Sequence, residues 1–313
     1  YKYKFLGRGM LKVDTNIIFN RYLIIPSEFN MPKADIIMVN QDYLLKHLVA
    51  LPDEKGILIG SVHSDYKMLD KNKSIVEMFY YRMVLISKKI DVPRFSVGKA
   101  AMVSAKNIGI NVDCVIGNAV RECSFRDENI QKEEEIVIML FSSPRREKGL
   151  KDGLEVINRL RKIKIKNVFF CSIGEITSEA SKLFDFNYGY LTGEDYFKAL
   201  SKANIFIYPS LLDGFGFPAL EAAACKCALV TTSVGGVDEW ALNEVNSMVV
   251  DPGDVEGMTN GVIKLTKNPD LLTKISNNGF MTSKQYSWHN QTQKLVHFFD
   301  ILSDRSLVEK HKM

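Results

Sequence analysis

In the second half of the chain, short apolar runs alternate with amphipathic stretches. The runs are Ile136–Phe141 (IVIMLF), Val168–Ile173 (VFFCSI), Ile205–Pro209 (IFIYP), Ala228–Thr232 (ALVTT) and Met248–Val250 (MVV). They are largely β-branched or aromatic and none alternates strictly, a pattern that suits strands buried on both faces. Between them, Leu150–Lys162, Gly193–Lys202, Pro218–Ala224 and Val255–Lys267 read as helices. Strand and helix in regular succession predict a parallel sheet covered by helices on both sides.

The first half carries the same alternation less sharply. Strands are expected at Arg21–Ile25, Ile36–Asn40, Gly56–Val62, Met83–Ser87 and Val112–Ile116, and helices over Gln41–Ala50, Val97–Ile108 and part of Asp70–Tyr80. Arg121–Glu135 (RECSFRDENIQKEEE) is densely charged and has no apolar period, so it reads as a linker, with a domain boundary near residue 130. Toward the end, Trp288, Leu295, Phe298, Phe299 and Leu302 form a helical stripe within Ser283–Leu302, and Asp304–Met313 is expected to fray.

Composition narrows the class. A chain of 313 residues fits two domains of about 100–200 residues each. With 46% hydrophobic and 25% charged residues, disorder is excluded. Lys and Arg number 41 against 37 Asp and Glu, a net +4, which gives no general electrostatic footprint for nucleic acid. Five scattered cysteines indicate a reducing compartment and not a disulfide framework. No stretch approaches the roughly 18 apolar residues of a membrane span, and no signal peptide is seen. The chain opens on Tyr1 and not Met, so a missing N-terminal segment is expected.

The most informative stretch is Tyr208–Glu221, YPSLLDGFGFPALE. A strand ends at Tyr208–Pro209, a loop with Gly214 and Gly216 follows, and Pro218 suits the first turn of a helix. The glycines admit close approach of backbone to a ligand, and a helix N-terminus offers free N–H groups to an anion. Asp213 and Glu221, with seven residues between them, would lie in the loop and about one turn into the helix, both able to face one cleft. A capped loop-to-helix junction with two solvated carboxylates accounts for the same residues equally well.

DGFGFPALEAAACKCALVTTSVGGVDE resembles the signature of retaining glycosyltransferase family 4, which has the GT-B architecture. The upstream ANIFIYPS, the Gly-Gly-x-x-Glu turn at Gly235–Glu239 and VVDPGD (Val249–Asp254) resemble it too. The likeness covers roughly residues 110–300 and is weak over residues 1–80. It implies two Rossmann-like α/β domains facing a cleft. An acceptor-binding domain over 1–130 would be short or truncated, a donor-binding domain would span 131–285, and a helix over 286–313 would pack back on the first. It further implies that Glu221 binds the nucleotide ribose hydroxyls, that Asp213 lies beside the transferred sugar where most members have the longer Glu, and that the backbone at Gly214, Phe215, Gly216 and Phe217 contacts sugar or phosphate.

A second constellation, Ser142–Gly149 (SSPRREKG), follows the strand Ile136–Phe141. The family has Gly-Arg at the start of this loop and Lys-Gly at its end, both cations holding the donor diphosphate. Lys148 matches, whereas Ser143 occupies the arginine position, leaving Arg145 or Arg146 to supply the guanidinium. A solvated basic turn is the bland alternative. His63 follows the strand Gly56–Val62, at a strand end that points into the crevice of an open parallel sheet; the resemblance suggests a catalytic role for it near the anomeric carbon, and a surface or structural histidine is the other reading. Cys225 and Cys227 lack a nearby partner Cys or His and make a poor zinc site.

The expectation is therefore a metal-independent, retaining hexosyltransferase without a cofactor, moving sugar from a nucleoside-diphosphate-sugar to a hydroxyl of a glycan or lipid-linked glycan. Polysaccharide or glycolipid synthesis in the cytoplasm, with peripheral contact at the inner face of a membrane, is the setting implied. Asp213, His63 and Lys148 would be catalytic. Glu221, Arg145, Arg146, Lys148 and residues 214–217 would bind donor. A nucleotide-sugar epimerase of the same architecture and an inactive sugar-nucleotide-binding subunit remain as alternatives.

Overall fold

A computed structural model describes residues 34–39, 45, 48–63, 88–121 and 135–310 of the chain. The expected strands at 21–25 and 83–87, the helix within 70–80, most of 41–50 and the boundary near residue 130 lie outside these residues.

Two parallel sheets organise the described chain. The first contains β1 (Ile36–Val39), β2 (Ile57–Val62), β3 (Arg94–Ser96) and β4 (Cys114–Val115) in sequential order. Helix α1 (Lys99–Asn107) follows β3. The second sheet contains β5 (Ile136–Ser142), β6 (Val168–Gly174), β7 (Phe186–Asn187), β8 (Ile205–Tyr208), β9 (Ala228–Thr232) and β10 (Met248–Val250), in the order β10-β9-β8-β5-β6-β7, every pairing parallel. Its helices are α2 (Leu150–Ile163), α3 (Gly193–Lys202), α4 (Phe217–Ala224), α5 (Val255–Lys267) and α6 (Pro269–Lys284). Helix α7 (Trp288–Lys310) closes the chain. It is one helix through Lys310, so the backbone of most of the segment expected to fray remains helical.

The unbroken apolar runs have a direct cause. Met139, Phe206 and Leu229 join a core with Phe197 of α3 and Leu220 of α4 on one face of the second sheet. Ile138, Leu140, Ile205, Ile207 and Val230 point to the other face, against Val156, Ile157 and Leu160 of α2 and Val262 of α5. Successive side chains alternate between two buried layers, so neither face tolerates a polar period. In the first sheet, Ile59, Phe95 and Ile116 pack with Phe298 and Leu302 of α7.

Numbered within the second sheet, the strand order runs 3-2-1-4-5-6, the Rossmann arrangement, and it reverses between β5 and β8. Chains leaving the C-terminal ends of these two neighbours diverge to opposite sides and leave a crevice there. Both chemistry-bearing stretches of the sequence, 143–149 and 209–216, leave the sheet at that point.

Candidate active site

The two loops are joined through one carbonyl. Glu147 O accepts from Leu211 N at 2.8 Å, Leu212 N at 3.2 Å and Ser210 Oγ at 3.1 Å. Gly149 makes this approach possible. It adopts φ +66°, and a Cβ there would lie 1.7 Å from Pro209 O. Arg146–Lys148 forms a 3-10 turn that ends on this glycine, and Lys148 reaches across to the loop after β8.

Lys148 Nζ donates to Asp213 Oδ2 and, at 3.1 Å, to the hydroxyl of Tyr208. The Tyr208 hydroxyl donates to the same carboxylate oxygen. Oδ1 of Asp213 accepts the N–H groups of Phe215 at 3.1 Å and Gly216 at 2.8 Å, so the carboxylate caps the turn leading into α4. Burial alone would raise the Asp213 carboxyl, but Lys148, Tyr208 and the Phe215 N–H outweigh it and hold it below its ordinary value. Side chains of Lys148 and Asp213 are 15% and 11% exposed, well removed from the solvent that weakens surface pairs.

Glu221 lies on α4, partly buried, and accepts a hydrogen bond from Tyr196 of α3. Burial pushes its carboxyl up to about 7, with Arg121 and the Tyr196 hydroxyl pulling in the opposite direction. Burial also raises Tyr196 well above its ordinary value, keeping it a neutral donor. Arg145 is largely exposed beside Glu147, at 4.0 Å, and its N–H reaches Ser143 Oγ at 3.4 Å. Arg146 is exposed at the start of the 3-10 turn. His63, exposed after β2, shares a 2.9 Å hydrogen bond with Ser61 Oγ.

The Gly-Gly turn supports the loop from below. A Cβ on Gly235 would lie 2.2 Å from Asp213 O, and one on Gly236 would lie 2.0 Å from Gly214 O, so only glycines let Gly235–Glu239 pack so closely. Trp240 Nε1 donates to Phe215 O at 3.0 Å and fixes the loop from the other side. At the end of the turn, Glu239 Oε1 accepts from Ala100 N at 2.8 Å. Helix α1 begins at Gly98, which has no capping side chain, so a carboxylate from the second-sheet half caps a helix of the first.

Sequence reasoning singled out Lys148, Asp213 and Glu221 but passed over Tyr208, Tyr196 and Arg121. The signal for Tyr208 was a lone hydroxyl in the otherwise apolar run IFIYP, at the end of a buried strand. Cys225 and Cys227 are buried, and their thiols approach carbonyls of Phe197, Leu200 and Ala203.

A Rossmann-ordered sheet with a basic loop and an acid-glycine loop meeting at its reversal point defines an α/β protein whose charged loops converge at the topological switch point. The sequence profile described as glycosyl transferases group 1 matches residues 120–281, over half of the chain, and the chain belongs to that family. It is 29% identical over 114 residues to O-antigen chain mannosyltransferase B of Escherichia coli, covering 36% of this chain and 29% of that protein. The chain's matches therefore span under a third of its curated relatives such as this one. Among solved structures, sucrose-phosphate synthase of Thermosynechococcus elongatus superposes with a TM-score of 0.70 at 14% identity, covering 87% of this chain and 74% of that one. Anabaena HepE in complex with UDP and glucose superposes with a TM-score of 0.66 at 14% identity, covering 85% and 77%. At such identities the likeness establishes the fold, two Rossmann-like halves. Among the described residues, no helix is long and apolar enough to cross a membrane.

Proposed function

We propose that the protein is a retaining glycosyltransferase of family 4, transferring a hexose-type sugar from a nucleoside diphosphate to a hydroxyl acceptor without a metal ion. The carrying observation is the junction of the two loops at the sheet reversal, which buries Lys148 against Asp213 beside the crevice. Residues 131–285 take the donor, residues 1–130 the acceptor, and the segment from residue 286 joins them. Glu221 holds the ribose, residues 214–217 line the sugar and phosphate, and Lys148 with Arg145 or Arg146 balances the leaving diphosphate. The acceptor attacks on the face from which the phosphate departs, and the departing phosphate takes its proton, with Asp213 and His63 beside the reacting centre. Positioning and charge stabilisation are then the protein's contribution.

A thermal-shift panel of UDP, GDP, ADP, CMP and dTDP identifies the base. Sugar donors of that base, offered with glycan and lipid-linked acceptors, are expected to release the diphosphate only when acceptor is present, and EDTA is expected to leave the rate unchanged. Loss of turnover in EDTA with recovery in manganese would falsify the metal-free mechanism. The saturation of Asp213 by four donors favours a second reading, a subunit that binds sugar-nucleotide without turnover; binding with no product from any donor is its signature.

A further inference from the structure

Tyr208 is the last residue of β8, and its side chain is fully buried. The ring packs against Phe141 at a centroid distance of 5.3 Å. Its hydroxyl is consequently placed by the strand and the core, not by a flexible stem. Lys148 is the opposite case. Its four-carbon chain reaches the same carboxylate oxygen from the 3-10 turn and can redirect without disturbing the sheet.

This difference matters when an anion arrives. A diphosphate in the crevice competes with Asp213 for the Lys148 ammonium. As Lys148 turns, the buried carboxylate loses one of its two side-chain donors, and a buried charge left short of donors is costly. The backbone donors at Phe215 and Gly216 serve Oδ1 only, so Tyr208 is what remains for Oδ2 among the described residues.

We propose that Tyr208 is a positioning residue that releases Lys148. Its hydroxyl keeps Asp213 in place and ionised while the ammonium transfers to the diphosphate, so the full charge of Lys148 reaches the leaving group. The inference rests on the reading of this crevice as a nucleoside-diphosphate-sugar site. Without the hydroxyl, Asp213 retains the ammonium, and the second phosphate gains little from it.

The test is the ratio of affinities for a nucleoside diphosphate and the matching monophosphate, measured by calorimetry with the base that binds most tightly among UDP, GDP, ADP, CDP and dTDP. Tyr208→Phe is expected to reduce that ratio about tenfold, the scale of one hydrogen bond to a charged group, while monophosphate affinity stays unchanged. A merely structural effect would lower both affinities together. In a Lys148→Ala background the same change is expected to do nothing, because no ammonium is left to release. Should Tyr208→Phe fail to fold, Asp213→Asn with Tyr208→Phe removes the charge that requires the hydroxyl, and its ratio is expected to equal that of Asp213→Asn alone. A diphosphate preference unchanged in Tyr208→Phe, or a lower ratio in the double variant than in Asp213→Asn, overturns the role of Tyr208 and leaves the site standing. Absence of any nucleotide binding by the wild type overturns both.

Discussion

Glu221 is the side chain with most at stake in its protonation. Its carboxyl is raised by burial to about 7, so the neutral form persists to higher pH in the folded protein than in the unfolded chain. The stability this group contributes is complete below about pH 4.5 and is lost as pH rises through about 7. Wild type is thus expected to lose melting temperature relative to Glu221→Gln between those limits, which thermal scans across pH will show. In the proposed donor site, ribose hydroxyls would donate to the ionised form, so nucleotide affinity should move the other way, rising through about 7 in wild type and flatter in Glu221→Gln. Glu221→Ala should weaken nucleoside-diphosphate binding by about 1.5–3 kcal/mol in a calorimetric titration. For the basic loop, Lys148→Ala and one of Arg145→Ala or Arg146→Ala should lower kcat sharply while the other arginine variant changes little. Consecutive side chains in a turn seldom face the same way, and steady-state kinetics on the three separates them.

At the scale of elements, Gly149 carries the largest local constraint. In Gly149→Ala the methyl would meet Pro209 O and the residue would keep a positive φ. The expected outcome is a stability loss above about 2 kcal/mol by urea titration, together with loss of nucleotide binding, because the loops of β5 and β8 separate. Much of this level was legible from sequence. Ala228–Thr232, Met248–Val250, Gly193–Lys202 and Val255–Lys267 run as read, since two-sided burial leaves little freedom in where an apolar run begins and ends. Strand β3 was missed. It has three residues and opens on Arg94, a buried charge whose guanidinium donates to the carbonyls of Ile90 and Val92. No periodicity announces a buried cation whose guanidinium reaches back to carbonyls two and four residues upstream. The stripe over 283–302 likewise hid a break, because Ser287 N–H bonds back to Lys284 O and ends α6 before α7 begins. In the site, Lys148 and Asp213 were found through their loops. Their contact was not legible, because it depends on β5 and β8 being neighbours, and adjacency of non-consecutive strands is a property of topology.

Across the described residues, the second sheet packs a core on each of its faces, whereas the first shares part of its core with the far end of the chain. Phe298 meets Phe95 edge-on at 6.2 Å, and Leu302 joins Ile59 and Ile116. Val120 N–H also pairs with Tyr286 O at 2.8 Å, at the turn into α7. Phe298→Ala is expected to cost about 3–5 kcal/mol, with the loss confined to protection of β1–β4 in hydrogen exchange. This arrangement bears on how the protein is made. A nascent chain leaves the ribosome at about 5–20 residues per second, and Phe298 follows Ile116 by about 180 residues, a delay of roughly ten to forty seconds. By the end of that interval every residue of the second sheet's two cores has been made, while Ile59, Phe95 and Ile116 still wait for Phe298 and Leu302. The half synthesised first is finished last, and its open apolar face is what a nascent-chain chaperone would meet.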